Sequence, residues 1–327
     1  MIDSMFLYLI WVLCYTTLIP SSIFYSLEEV THVIFTTKRP ARRRSPSMLL
    51  AGVFVMLIVL LAACGSTSST TGSGSSGLDL KTPGVLTVGS DTTYPPQEYI
   101  DTATNKAAGF DVDLITAVAK NMGLQVNVVT TKFDTIIDDL VNKRFDVVIS
   151  AVSVTPERQK KVEFVPYFNA GESLLVQAGN PKNIKSLTDL CGENVGVQTG
   201  TIEQTDLQTA SDACKKASKP QIKMVVLQDQ TAVIQLLANQ RVVATYQDSP
   251  VTDYFNKQHP GQFAVGGSVV NAGLEGIAVR KGDTAMLNAV KNAFNKVKSD
   301  GTYNQIVQKW GLTNEAIAMV DRRTLIA

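Results

Sequence analysis

Phe145-Asp146-Val147-Val148-Ile149-Ser150-Ala151-Val152-Ser153-Val154-Thr155-Pro156-Glu157-Arg158 reads as a strand, a turn and a helix start in quick succession. The apolar run within Asp146–Ser150 suits a strand covered on both faces. Thr155 is placed to cap a helix and Pro156 to take its first position. Ser150 and Ser153 then flank a turn at the C-terminal edge of a strand, where open α/β sheets bind ligands. Upstream, Val85–Gly89 and Gln125–Val129 read as strands. Asp111–Lys120 and Asp134–Asn142 read as helices, the first with apolar residues three and four apart and a stop at Gly123. This βαβαβ order predicts a parallel sheet covered on both faces.

The alternation restarts after Gly179-Asn180-Pro181. Strands are predicted at Val195–Gln198, Lys223–Leu227 and Val242–Tyr246, with helices at Thr201–Lys216, Gln230–Asn239 and Pro250–Lys257. After Gly266-Gly267 one more strand, Gly276–Arg280, precedes helices at Asp283–Ser299 and Tyr303–Trp310. No internal repeat is visible beyond this alternation.

The chain has 327 residues, 45% hydrophobic and 18% charged, which excludes global disorder and suits about two domains. Thirty Lys+Arg against 29 Asp+Glu leave no basic excess for nucleic acid. Two histidines and four cysteines without a CxxC pair argue against a metal site, and no cofactor is expected.

Much of the hydrophobicity lies at the front. The basic cluster Lys38–Arg44 precedes an apolar run from Met48 to Ala63, 16 residues and short of a full membrane span, in the order of an export signal. Leu61-Ala62-Ala63-Cys64 resembles the bacterial lipobox, which implies a lipidated Cys64 as first mature residue. The alternative is a signal-anchor helix with an incidental cysteine. Residues 65–77 are all Gly, Ser or Thr, a flexible tether that is useful when one end is fixed. The earlier apolar stretch Met5–Ile19 has no role in such a signal, so translation is expected to start downstream of it. Residues 1–63 hold five of the basic and three of the acidic residues, which leaves 25 against 26 in the remainder.

Further stretches carry a family resemblance: Gly89-Ser90-Asp91-Thr92-Thr93-Tyr94-Pro95-Pro96, Gly109-Phe110-Asp111-Val112-Asp113-Leu114, Gly196-Val197-Gln198-Thr199-Gly200-Thr201, Asp248-Ser249-Pro250, Gly276–Asp283 and Asp300-Gly301-Thr302-Tyr303. In order and spacing, together with Phe145–Arg158, they resemble the amino-acid-binding proteins of bacterial ABC importers, solute-binding protein family 3. The resemblance implies an α/β, two-lobe, periplasmic-binding-protein-like (type II) fold, with two doubly wound sheets joined by a hinge and ligand in the cleft. The expected organisation is a leader over 1–63, a lipidated cysteine and tether over 64–78, lobe 1 from 79–174 and 269–327, and lobe 2 from 175–268.

The residues fit that implication chemically. Buried charges must be paired, and Arg158 can grip a ligand carboxylate through its planar fork, or else make a surface ion pair. The resemblance implies that Asp248 pairs with the ligand ammonium; its bland alternative is an N-cap ahead of Ser249-Pro250. By the same resemblance Ser150, Ala151 and Ser153 form the turn that supplies carbonyl and hydroxyl groups. Thr201 opens a helix whose free N–H groups favour a carboxylate, and Ile202 stands where relatives often carry a second threonine. Tyr94 and Phe133 would give aromatic faces, although Phe133 could instead staple its helix. Asp91 is expected to face the ligand side chain or to tie down its own loop. Cys191 and Cys214 are expected to pair in an oxidising compartment.

The implied function is a monomeric, lipid-anchored receptor on the outer face of the cell membrane. It would capture an amino acid with a polar or cationic side chain and deliver it to an ABC permease, without chemistry of its own. The alternative is an enzyme of the same fold, such as a dehydratase of aromatic amino acid biosynthesis, which needs a general acid in the cleft.

Overall fold

A computed structural model describes residues 77–313. The leader, Cys64 and most of the tether lie outside them. In the first half come β1 (Val85–Ser90), β2 (Thr93–Tyr94), β3 (Glu98–Asp101), β4 (Lys106–Ala108) and α1 (Phe110–Asn121), then β5 (Gln125–Thr130), α2 (Ile136–Val141), β6 (Val147–Val148) and α3 (Pro156–Gln159). The chain continues as β7 (Val162–Gln177), β8 (Asn194–Gln198), α4 (Ile202–Lys216), β9 (Lys223–Leu227), α5 (Gln230–Ala238), β10 (Ala244–Asp248) and α6 (Ser249–Gln258). It closes with β11 (Phe263–Arg280), α7 (Thr284–Ser299) and α8 (Thr302–Trp310).

Eight strands form one mixed sheet in the order β5-β1-β6-β11-β7-β10-β8-β9, and β2-β3-β4 form a separate meander. At one end β5, β1 and β6 run parallel; at the other β10, β8 and β9 do. Both parallel sets are those the alternation predicts. The antiparallel pair β7 and β11 joins them, and its register shifts between Gly266 and Gly276. Near these shifts Gly267 holds φ +83°, and a Cβ there would lie 2.0 Å from the Lys185 carbonyl oxygen.

Each half has its own apolar core. In the β1 half, α1 buries Phe110, Leu114, Ile115 and Val118, and α7 buries Met286, Val290 and Phe294, against Leu86, Val88, Ile277 and Val279 of the sheet. Each such side chain contributes about 1.5–3 kcal/mol on burial. In the other half Val195, Val197, Leu207 and Tyr246 form a cluster that includes Cys214. Cys214, in the last turns of α4, is disulfide-bonded to Cys191. Among the described residues no helix is long and apolar enough to cross a membrane.

The predicted strand Asp146–Ser150 shortens to two residues. Asp146 instead accepts the backbone N–H groups of Lys81 and Thr87 through its carboxylate, and the chain turns at Ala151 with φ +45°. The predicted strand Gly276–Arg280 is the last part of a much longer one.

Candidate functional site

The strand ends of both halves face one shared cavity. Asp91, at the end of β1, and Tyr94, in β2, line it with Phe133, Ala151, Ser153 and Arg158 from the β1 half; Thr201, Ile202 and Asp248 come from the other half. Every ligand-site residue expected from the sequence except Ser150 is therefore on its wall. Ser150 sits one layer back: its hydroxyl accepts the Asp91 N–H at 2.9 Å and donates to Glu98 Oε1 at 2.7 Å. Glu98, Gln198 and Glu203 complete the lining and were not among the expected residues.

Arg158 belongs to α3, which starts as expected, with the Thr155 hydroxyl accepting the Arg158 N–H and Pro156 in the first turn. Its Nη1 donates to the Ser153 carbonyl at 2.9 Å and its Nη2 to the Gly200 carbonyl at 3.3 Å. Its guanidinium carbon stands 5.3 Å from the centre of the Phe133 ring. Half-buried Phe133 thus serves the cavity and also packs on the Ile136 and Leu140 cluster.

Asp248 takes the N-cap position of α6, yet its carboxylate makes no capping bond. It accepts the Tyr94 hydroxyl at 2.8 Å. Thr201 does cap α4, accepting the Gln204 N–H at 3.2 Å while donating to the Gln198 carbonyl at 2.9 Å. Its hydroxyl is occupied by the fold, and Ile202 adds an apolar wall with no hydroxyl.

Contacts across the cavity hold the halves together. Gln198 Nε2 donates to Asp91 Oδ2, the Gln230 N–H to the Thr93 hydroxyl at 3.1 Å, and Gln228 Nε2 to Asp134 at 3.0 Å. Gly200 has φ +77°, and a Cβ there would lie 2.7 Å from the Asp134 Cα.

The field is acidic. Asp91, Glu98, Glu203 and Asp248 face a single cation, Arg158. Burial lifts Asp91 to about 6 against the bonds from Thr93 and Gln198. Burial, with the neighbouring charges of Asp248 and Glu172, lifts Glu203 well above the usual carboxyl range. Arg158 is pushed down by burial and held up by Glu203 and Asp248. Such a cavity has a place for one anionic group at Arg158 and several for cationic or hydrogen-bond-donating groups.

Residues 86–313 match bacterial extracellular solute-binding proteins, family 3. The ABC transporter arginine-binding protein 1 of Escherichia coli (strain K12) is 33% identical over 232 residues, 69% of this chain and 90% of the relative. An ancestral arginine-binding protein bound to arginine has 38% identity and a TM-score of 0.64, over 69% of this chain and 98% of that one. An ancestral amino acid-binding protein described as a precursor of cyclohexadienyl dehydratase has 35% identity and a TM-score of 0.63, over 69% and 95%. With two sheet halves around an acid-lined cavity and a match along most of its length, this chain belongs to family 3 of the bacterial extracellular solute-binding proteins.

Proposed function

We propose that this protein captures an amino acid with a cationic side chain between its two halves and hands it to an ABC permease. The observation that carries this reading is the cavity itself, where Arg158 from one half and Asp248 from the other leave Asp91, whose carboxyl sits at about 6, as the surplus acid ionised at neutral pH. A zwitterion would satisfy the first pair, and a second positive charge would answer the surplus. Backbone N–H groups at the start of α4 and the Ser150–Ser153 turn would complete the carboxylate site. The lobe boundaries proposed are 174/175 and 268/269, inside β7 and β11 and beside the register shifts that would let them bend.

The receptor is further proposed to work as a monomer, held to the outer membrane face by lipid on Cys64. Cys64→Ala should leave it unprocessed or released; unchanged processing and retention would refute the anchor. Calorimetric titration with L-arginine, L-lysine, L-histidine, L-glutamine and L-glutamate tests the ligand class. Tightest binding of L-glutamate, or none of the five binding, would overturn it.

Glu203 favours a second reading, because a buried acid that holds its proton is what a dehydratase needs. Loss of a bound candidate ligand with a new product in the same tube would support catalysis; full recovery of the ligand supports capture alone.

A further inference from the structure

Two carboxyls meet at the cavity wall with no Lys or Arg bonded to either among the described residues: Glu98 is on the wall and Asp111 lies behind it. Glu98 of β3 and Asp111 of α1 are almost fully buried, at 1% and 0% exposure. Glu98 Oε1 accepts the Ser150 hydroxyl at 2.7 Å. Asp111 Oδ2 accepts the Ala151 N–H at 2.9 Å and the Tyr167 hydroxyl at 2.7 Å. The remaining oxygens, Glu98 Oε2 and Asp111 Oδ1, are buried and have no donor. Each carboxyl lies within hydrogen-bonding reach of the other, and two carboxyls share such a bond only when one of them carries a proton.

We propose that Glu98 carries a proton and donates it to Asp111, and that this shared proton positions the Ser150–Ser153 turn for a ligand carboxylate. Together the pair grips both sides of the turn: Ser150 through its hydroxyl and Ala151 through its N–H. Ala151 is held at φ +45°, a conformation an alanine adopts only when its surroundings impose it. Around the pair, Asp91 stands at the end of β1, Tyr167 on β7 and Glu275 on β11; Tyr167 also donates to Glu275 at 3.3 Å. Burial and the charges of Asp111 and Asp91 disfavour ionisation of Glu98, whereas the Tyr167 hydroxyl and the Ala151 N–H favour it on Asp111. Arg158 lines the same cavity but is engaged by Ser153 and Gly200. Burial and Asp111 together push Glu98 well above the usual carboxyl range, while Asp111 rises only to about 6. Glu98 is therefore the donor and Asp111 the anion. Glu98 is a positioning residue, acting on the ligand through the turn.

Glu98→Gln preserves the pattern without a titratable proton, its amide donating to Asp111 and its carbonyl accepting from Ser150. Asp111→Asn preserves it the other way, with the amide donating to an ionised Glu98. The first measurement needs no ligand: unfolding temperatures of the detergent-extracted full chain and Glu98→Gln from pH 5 to 9. A raised carboxyl in the folded state costs stability as pH climbs above its unfolded value. The parent should therefore lose ground to Glu98→Gln steadily with pH, and a difference independent of pH overturns the shared proton. The second measurement, which rests on the amino-acid-binding reading, is the L-arginine affinity of the parent and of Asp111→Asn, whose side chain does not line the cavity. The ratio of the two Kd values cancels the ligand's own titration. It should stay within about threefold at pH 7 and move about tenfold or more against the parent by pH 9. An Asp111→Asn variant that folds normally yet binds tenfold more weakly at pH 7 would overturn the positioning role. Because each amide variant keeps every bond invoked, failure of both to fold would also overturn the proposal.

Discussion

The Tyr94 hydroxyl donates to Asp248 Oδ2 at 2.8 Å and accepts the Asp248 backbone N–H at 3.1 Å, although the two residues are 154 positions apart. One phenol from the β1 half thus engages the residue of the other half that is assigned to the ligand ammonium. An entering ammonium must share Asp248 with this hydroxyl, so affinity reflects an exchange of donors and not the filling of a bare anion.

Arg158→Ala and Asp248→Ala should each cost about 2–5 kcal/mol of binding, a thirtyfold to several-thousandfold loss, because a ligand charge is left buried and unpaired. Folding should change by less than about 1 kcal/mol, since neither residue belongs to an apolar core. Calorimetric titration with L-arginine is the check, and binding within about threefold of the parent removes that residue from the clamp.

Gly200→Ala should weaken ligand capture by about tenfold or more, because φ +77° disfavours a side chain and its Cβ would press on the Asp134 backbone across the cavity. Small-angle scattering distinguishes this from local damage. The liganded variant should keep the larger radius of an open molecule, whereas a compact liganded variant would show that Gly200 does not govern the approach of the halves.

Affinity for L-arginine should rise by up to about tenfold between pH 5 and 7, as Asp91, whose carboxyl sits at about 6, loses its proton to solvent and can pair as a carboxylate with the cationic side chain. Stability of the free protein has the opposite sign. The folded state holds that proton more tightly than the unfolded chain does, so ionisation of Asp91 erodes stability between about pH 4 and 6. Asp91→Asn should flatten both profiles, and an unchanged slope in the variant would place the titrating group elsewhere.

Reduction of the Cys191–Cys214 bond, or replacement of both residues by serine, should lower stability by about 3 kcal/mol by releasing the loop they close. Ligand affinity should stay within about threefold, because neither cysteine lines the cavity. Denaturant unfolding with and without reductant reads the first effect and calorimetry the second.

Both parallel strand sets were legible because their strands are short apolar runs bounded by helix signals. The cavity wall was legible where a residue is odd for its place, such as Tyr94 ahead of two prolines or Arg158 just inside a capped turn. Glu98 and Glu203 gave no such signal. Glu203, one residue past Ile202 in the first turn of α4, reads as an exposed acid favoured by the helix dipole, whereas the fold buries it beside Asp248, Glu172 and Arg158. Strand β7 was missed because Pro166, Asn169 and Glu172 interrupt its apolar pattern, and the part of β11 before Gly276 because glycines at 266, 267 and 273 read as loop. Both are strands because each satisfies the other's backbone, a long-range condition that no local window contains.

Strand β11 lies between β6 and β7 in the sheet, and Ile277, Val279, Met286 and Phe294 fill the core of the half that begins at β1. The earliest strands made are thus completed by nearly the last. A nascent chain halted anywhere before Arg280 lacks the central rung of its own first half, and the loop closure needed to supply it spans most of the protein. Order in the β1 half must therefore arrive late, once Ile277 and Val279 have been made. That timetable leaves the β1 half incomplete through most of synthesis, the condition in which a chain can be threaded through a narrow export pore.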